Sequence, residues 1–191
     1  MKVFESNCTF NYSWEDVSLA NWRKYCAWNT KSTHVIAVDT LSRSVDPETG
    51  ILITERLITC KQAAPRWLKA IFGTEESYVR EISYVDPVAK TVTMKSMNLT
   101  LNNLLNVQET VQYVPDPECP AKRTLFKQDA KITAYGAFTR LRNAIEDFSV
   151  DRFHQNAIKG REGFEAVLQM SQKAFKELRE GTIQEATMQT A

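Results

Sequence analysis

Three side chains near the C-terminal end of the sequence have the types and the spacing to bind a phosphate. Arg152, Asn156 and Lys159 stand at positions i, i+4 and i+7, so they share one face of a predicted helix. A guanidinium can donate two parallel hydrogen bonds to a phosphate, and an ammonium adds a point charge. The same spacing is also typical of a solvated polar stripe on a helix surface, so both interpretations stay open on these residues alone.

A second candidate is the segment from Gln62 to Thr74, which interrupts a series of predicted strands. Large apolar residues and cations are interleaved in it, namely Arg66, Trp67, Leu68, Lys69, Ile71 and Phe72. This composition fits a segment that enters a membrane interface or covers a cavity. A short helix packed on the core is the alternative interpretation.

Residues for covalent catalysis or metal binding do not form a recognisable pattern. No Ser-His-Asp or Cys-His arrangement, carboxylate pair or Gly-rich phosphate loop stands out, so an enzyme is the weaker class and no catalytic residue is predicted. Only two histidines occur, and the cysteines are far apart, without a Cys-x-x-Cys pair. We therefore expect free thiols, no metal site, no disulfide framework and no cofactor. The cysteines are Cys8, Cys26, Cys60 and Cys119.

The composition is that of an ordinary one-domain globular protein with almost balanced charge. The 191 residues are 43% hydrophobic and 25% charged, and 24 Lys+Arg against 23 Asp+Glu give a net charge of +1. Nucleic acid is therefore not an expected partner, and any anionic ligand must be met by a few placed cations. No window reaches the roughly 18 consecutive apolar residues of a membrane span. The N-terminal residues, with Glu5 among them, predict neither a signal peptide nor a mitochondrial presequence.

Seven segments have the alternation or the turn punctuation of antiparallel strands. They run from Phe4 to Phe10, Val35 to Val45, Ile51 to Cys60, Tyr78 to Val85, Thr91 to Leu99, Leu105 to Pro115 and Phe126 to Ala134. Asp-Pro pairs beginning at Asp46, Asp86 and Asp116 mark turns, and short turns imply antiparallel pairing. Between the first two strands, Ser13 begins a predicted helix that extends to about Tyr25.

The final part of the sequence changes to helical periodicity. From Ala137 the apolar residues recur at helical spacing without any proline, which predicts one long helix to about Glu180. The polar tail after Gly181 is expected to be disordered. Gly160 and Gly163 inside this helix indicate either a bulky group that passes close to the backbone, or close packing against the sheet, or a mild kink.

These elements predict an α+β fold, with a single curved antiparallel sheet of about seven strands and one long C-terminal helix. A single helix does not fill the concave face of such a sheet, so an apolar cavity is expected between them.

Several sequence strings together resemble the PRELI/MSF1 family, and most closely its slowmo-like branch. The resemblance extends over about residues 1–170. The strings are Phe10-Asn-Tyr12, Trp14, Trp22-Arg-Lys-Tyr25, Ser32-Thr-His-Val-Ile-Ala-Val-Asp39, Thr54-Glu-Arg-Leu57, Tyr78-Val-Arg-Glu81, Val85-Asp-Pro87 and Ala157-Ile-Lys-Gly160.

The resemblance implies a cup similar to that of phosphatidylinositol-transfer proteins. Residues 1–172 would form the lipid-transfer domain, and residues 173–191 the end of the helix and a polar tail. The implied function is non-enzymatic phospholipid transfer in the mitochondrial intermembrane space, with phosphatidylserine moving from the outer to the inner membrane. A phosphatidic acid carrier, or a membrane-associated scaffold without a transport cycle, is the alternative. The implied partners are the phospholipid, a small helical-hairpin protein with twin Cys motifs that forms a heterodimer, and a transient contact with the membrane surface, with the protein peripheral on the inner membrane.

The resemblance also assigns residues to two sites. The family's head-group site falls on Lys24, His34, Arg152, Asn156 and Lys159, and Lys61 lies one residue from a further basic position of the family. The family's lid falls on Pro65–Gly73, with Pro65, Trp67, Leu68, Ile71 and Phe72 as the membrane contact. One departure is the Cys26–Lys31 segment, which is longer than in the family and lacks the usual Pro-Asn after the tyrosine.

The lid assignment makes the first testable prediction. Replacing Trp67 and Phe72 together by alanine should slow lipid transfer between liposomes, because the segment loses the apolar side chains that would enter the membrane interface. Circular dichroism of the double variant should show an unchanged fold. Transfer at the wild-type rate by a folded double variant would contradict the lid assignment.

Overall fold

Alternating apolar and polar residues build one antiparallel sheet of seven strands, which confirms the predicted fold class. The structure is a computed structural model that describes residues 1–26, 28–61, 76–136 and 138–189, with the side chains of the last helix as far as Glu177. The strand order is β1-β7-β6-β5-β4-β3-β2. The strands are β1 (Lys2–Phe10), β2 (Val35–Val45), β3 (Leu52–Lys61), β4 (Glu76–Asp86), β5 (Thr91–Asn98), β6 (Leu105–Pro115) and β7 (Thr124–Ala134).

Three Asp-Pro turns form one end of this sheet. Asp46, Asp86 and Asp116 each accept a hydrogen bond at Oδ1 from the backbone N–H two residues further on, in every case at 2.9 Å. These side chains satisfy the first free N–H groups of each turn, and the following proline fixes the backbone there. Because the turns join β2 to β3, β4 to β5 and β6 to β7, they all lie at the same end.

The short helix α1 (Trp14–Asn21) packs over the end that holds these turns. Its N-terminus is capped as predicted, since Ser13 Oγ accepts a hydrogen bond from the Asp16 backbone N–H at 3.1 Å. Lys90, in the turn between β4 and β5, forms an ion pair with Glu15 at 2.6 Å. This end of the fold is therefore closed.

The long helix α2 (Thr139–Gln189) lies against the concave face of the sheet, and the core is divided into two clusters along it. The larger cluster fills the closed end, where Phe164, Val167 and Leu168 of α2 are buried. It also contains Phe10, Trp14, Val17, Ala20, Val92, Met94, Val111 and Tyr113. The smaller cluster, around Ala134 and Ile145, lies towards the other end. The space between the two clusters is left for a cavity.

The end of α1 differs from the prediction, since the helix stops at Asn21 and not at Tyr25. The backbone N–H of Trp22 bonds to the carbonyl three residues back, at 3.3 Å, which tightens the last turn. Beyond it, the Trp22 ring lies 4.9 Å from the Arg43 guanidinium and 5.3 Å from that of Arg56. These cation–π contacts with β2 and β3 draw the chain away from the helical path.

The end of α2 also differs from the prediction. The helix continues beyond Glu180 to Gln189, through residues that were expected to form a disordered tail. An isolated glycine such as Gly181 costs a helix only about 1 kcal/mol, and no proline follows it.

The two glycines in the middle of α2 have different surroundings. A Cβ on Gly163 would lie 2.9 Å from Asn29 Oδ1 and 2.9 Å from Lys31 Cβ, whereas a Cβ on Gly160 would meet nothing within 4 Å. The Asn29 amide is held in place, since it donates to the Lys24 carbonyl at 2.6 Å. Gly163 thus allows the Cys26–Lys31 segment to approach the helix, while Gly160 faces open space.

The two glycines should therefore respond in opposite ways to substitution by alanine. Gly160→Ala should stabilise the protein by roughly 0.5–1 kcal/mol, because alanine has the higher helix propensity and meets no neighbour. Gly163→Ala should destabilise it by about 1 kcal/mol or more, because the clash with a held side chain exceeds that gain. Urea denaturation measures both, and a Gly163→Ala protein as stable as Gly160→Ala would show that the approach of Asn29 is not required.

Candidate functional site

A cavity of about 410 Å³ lies between the sheet and α2. Its apolar wall combines sheet residues with one face of the helix. Apolar residues that line it include Ile58, Val79, Leu105, Val107, Val111, Ile145, Phe148 and Phe153. The polar lining contains four cations and two carboxylates among the described residues: Lys24, Lys61, Arg152, Arg161, Glu81 and Glu109.

The structure brings together most of the side chains that the sequence assigned to the head group. Five of them line this cavity: Lys24, His34, Lys61, Arg152 and Asn156. Arg152 and Asn156 project from adjacent turns of α2, as their i, i+4 spacing requires. Lys159 is exposed and is not among the lining residues, although its positive charge acts on His34.

His34 lies between β2 and the cations of α2. Burial, followed by the charges of Arg152 and Lys159, lowers the pKa of His34 below its ordinary value. The imidazole is therefore neutral at neutral pH, with one N–H to donate and one nitrogen to accept. The backbone N–H of Lys61 donates to the His34 carbonyl at 2.7 Å, so the two residues are fixed at the same level of the cavity wall.

Sequence reasoning missed an ionic cluster at the base of the cavity. Arg56 and Glu81 are buried and directly opposite each other on β3 and β4, where Arg56 Nε donates to Glu81 Oε1 at 3.0 Å. A second guanidinium nitrogen of Arg56 donates to the same oxygen. Lys24 Nζ lies 4.0 Å from Glu81 Oε2 and donates to Met94 Sδ at 3.6 Å. One carboxylate thus faces two cations.

Burial and the neighbouring charges act in opposite directions on the pKa values of Lys24 and Glu81. It lowers the pKa of Lys24, and the negative charge of Glu81 opposes that effect. For Glu81 the charges of Lys24 and Arg56, with the hydrogen bond from Arg56, outweigh the burial that would raise its pKa, so the pKa is lowered. The carboxylate therefore remains ionised. Lys24 lines the cavity, so it is the cation of this cluster that can contact an anionic ligand.

The signal for the ion pair was present in the sequence. Thr54-Glu-Arg-Leu57 and Tyr78-Val-Arg-Glu81 are among the strings that carry the family resemblance, and they hold both partners. Strict alternation along β4 places Glu81 on the same face as Val79, which is the cavity face. A charged residue at an inward position indicates a buried pair or a ligand contact.

The longer Cys26–Lys31 segment still places Lys24 and His34 in the cavity lining. Asn29 is buried, and its amide bonds to the carbonyls of Lys24 at 2.6 Å and of Gly163 at 3.5 Å. On the surface beside it, Lys31 forms an ion pair with Glu162 at 2.9 Å. The segment is therefore attached to α2 and positions the residues on either side of it.

Two cysteines line the cavity as free thiols, Cys8 and Cys60. Burial raises the pKa of Cys60 to about 11, and it also raises the pKa of Cys8. Neither thiol is therefore an activated nucleophile at neutral pH.

Across the described ranges no group of three or more His, Cys, Asp and Glu side chains could hold a metal ion. No described helix is both long and apolar enough to cross a bilayer.

The lid assigned to Pro65–Gly73 lies outside the described residues, and with it Pro65, Trp67, Leu68, Ile71 and Phe72. The residues on either side, Lys61 and Glu76, pair across β3 and β4 at the end opposite the Asp-Pro turns. Ser77 beside them lines the cavity.

Comparison with known proteins gives a consistent result. Residues 15–174 match the family described as the PRELI-like family. "Protein UPS2, mitochondrial" from Saccharomyces cerevisiae is 53% identical over 171 residues, which cover 89% of this chain and 74% of that protein. "Protein slowmo homolog" from Dictyostelium discoideum is 36% identical over 178 residues, which cover 93% of this chain and 76% of that protein.

Solved structures share the fold at very low sequence identity. The Zhui aromatase/cyclase from Streptomyces sp. R1128 superposes with a TM-score of 0.60 at 7% identity, covering 88% of this chain and 93% of that one. A START superfamily protein from Mycobacterium smegmatis gives a TM-score of 0.51 at 10% identity, covering 88% and 97%. These likenesses establish the fold, a curved sheet around a long helix, and nothing about the ligand.

The ionic cluster predicts a large difference between two carboxylates on the same pair of strands. Glu81→Gln should destabilise the fold by about 3–5 kcal/mol, because it leaves the buried Arg56 guanidinium uncompensated. Glu55→Gln is the matched control, since Glu55 pairs with Arg80 at 2.6 Å on the more exposed face of the same strands. The control should cost less than about 1 kcal/mol. Equal midpoints of urea unfolding for the two variants would rule out a structural role for the buried pair.

Proposed function

The chain belongs to the PRELI-like family, and we propose that it carries a single phospholipid in the cavity between its sheet and α2. The membership confirms the resemblance to the PRELI/MSF1 family that was drawn from the sequence strings. The observation that carries the proposal is the composition of the cavity wall, in which apolar side chains are combined with a local group of cations.

Each part of that wall fits one part of a phospholipid. Acyl chains gain about 0.8 kcal/mol for every CH₂ that leaves water, so the apolar residues of β3–β6 and α2 favour the chains. The phosphate loses its hydration on entering, and this cost is offset only where cations and N–H donors meet it. Lys24, Lys61 and Arg152 supply the charge, and Asn156 and the neutral His34 supply hydrogen bonds.

A transfer cycle built on this cavity has no covalent step. Binding shields the acyl chains of the lipid from water, and release transfers the lipid into a second membrane. The proposed substrate is phosphatidylserine moving from the outer to the inner mitochondrial membrane, with phosphatidic acid as the alternative. The fact that one relative bears the word mitochondrial in its name supports a mitochondrial location, and the intermembrane space is the proposed compartment.

We extend the proposal to the heterodimer with a small twin-Cys helical hairpin that the family resemblance implies. The edge strand β2 supports a protein partner, since Ile36, Leu41 and Val45 expose 49%, 56% and 60% of their surface.

Lipid extraction from vesicles tests the proposal. The protein should recover about one phosphatidylserine per chain, identified by mass spectrometry, whereas a scaffold without a transport cycle would recover none. Arg152→Ala should weaken extraction about ten-fold or more, because a buried phosphate that loses one cation loses on the order of 1–3 kcal/mol.

Arg140→Ala is the matched control for this experiment, because Arg140 is an exposed arginine of the same helix and does not line the cavity. The control should extract lipid as the wild type does, and partner binding should be the same in both variants. Wild-type extraction by a folded Arg152→Ala protein would show that the helix face is a solvated stripe. Lys159→Glu is a weaker probe, since that side chain is exposed and would act on the site only through its charge.

A further inference from the structure

The cavity wall contains a carboxylate that forms no ion pair with any described cation. Glu109 on β6 lines the cavity, and its two oxygens are held by neutral donors. Ser96 Oγ donates to Oε2 at 2.9 Å, and Gln128 Nε2 donates to Oε1 at 2.6 Å. Within the described part of the chain no ion pair involves Glu109. The carboxylate is thus oriented by neutral donors and forms no direct ion pair, although the charges of Glu109 and Lys24 act on each other at a distance.

The other cavity carboxylate has a different environment. Glu81 is buried against Arg56, with Lys24 beside it, so its charge is balanced by cations of the protein itself. The sheet register places Glu81, Ser96 and Glu109 opposite one another on β4, β5 and β6, so they form one polar row across the wall. Lys24 lies at the Glu81 end of this row, Arg161 donates to Ser6 of β1 beyond the other end, and Glu109 between them forms no ion pair within the described residues.

From this arrangement we infer that Glu109 is the acceptor for a primary ammonium on the head group of the bound phospholipid. The inference rests on the proposed function, since it assumes that a phospholipid occupies the cavity. An ammonium that leaves water needs a partner of opposite charge, and a pre-oriented carboxylate supplies it without reorganisation. The cations take the phosphate, and Glu109 takes the amine.

Glu109 then selects between phospholipids by attraction and by repulsion. Phosphatidic acid has no ammonium, so its doubly ionisable phosphate would enter the cavity without a group of its own to offset the charge of Glu109. Phosphatidylserine and phosphatidylethanolamine both carry the primary ammonium. Phosphatidylserine has a carboxylate as well, and the excess of cations in the lining favours it over phosphatidylethanolamine.

Competitive extraction tests the inference. Phosphatidylcholine vesicles that contain equal amounts of phosphatidylserine, phosphatidylethanolamine and phosphatidic acid are incubated with the protein, and the recovered lipids are quantified by mass spectrometry. Glu109→Gln keeps the size of the side chain and its ability to form hydrogen bonds, and it removes the negative charge. It should lower the ratio of phosphatidylserine to phosphatidic acid about ten-fold, the change that corresponds to about 1.4 kcal/mol.

Glu5→Gln is the control, because it makes the same chemical change at an exposed position of β1 on the outer face of the sheet. It should leave the ratio unchanged. A second arm needs no variant: phosphatidylserine whose amine is acetylated keeps its phosphate and carboxylate, and the wild-type protein should extract it about ten-fold less than the parent lipid.

The outcomes separate the two proposals. An unchanged lipid ratio in a folded Glu109→Gln protein overturns the role of Glu109, and so does wild-type extraction of the acetylated lipid equal to that of its parent. If the Glu109→Gln chain does not fold, the acetylated lipid alone decides. A wild-type protein that recovers none of the phospholipids overturns the proposed function itself.

Discussion

A single helix is too narrow to cover a sheet of seven strands, and the site exists because of this mismatch. Seven strands spaced about 4.8 Å apart place the axes of the two outer strands about 29 Å from each other, whereas a helix with its side chains measures about 10–12 Å. Curvature brings the sheet around α2, and the two core clusters fill the ends. Between these clusters no described side chains fill the space that separates the sheet from α2, so the side chains there line a cavity and not a packed core.

That uncovered wall explains how charged side chains are tolerated inside the fold. An isolated ion deep in an apolar core is costly, but at the base of the cavity Glu81 is paired with Arg56 and lies 4.0 Å from Lys24. Arg56 also lies against the Trp22 ring, so its guanidinium has partners on two sides. This network determines the position of the Lys24 ammonium, and with it the place where a negative charge on a ligand can be bound.

The closed end and the segment attached to α2 give this wall its rigidity. Asp-Pro turns and α1 hold the strands at one end, while Asn29 ties the chain between α1 and β2 to the helix backbone at Gly163. Lys24 and His34 lie on opposite sides of that tie. The positions of Lys24 and His34 are therefore set by contacts with α2, the helix that carries Arg152 and Asn156. All five head-group candidates that line the cavity thus lie on elements that contact one another.

The features that depend on local backbone geometry could be predicted from the order of the residues. Strand alternation, the Asp-Pro turns, the capped start of α1 and the i, i+4 relation of Arg152 and Asn156 all follow from periods of two or 3.6 residues and from turn chemistry. Tertiary structure alone decided which distant residues meet. The pairing of Arg56 with Glu81 depends on the register of β3 against β4. The early end of α1 depends on the contacts of the Trp22 ring with Arg43 and Arg56. The exposure of Lys159 depends on how α2 is rotated over the sheet, because a spacing shows which residues share a face but not which part of that face turns towards the cavity.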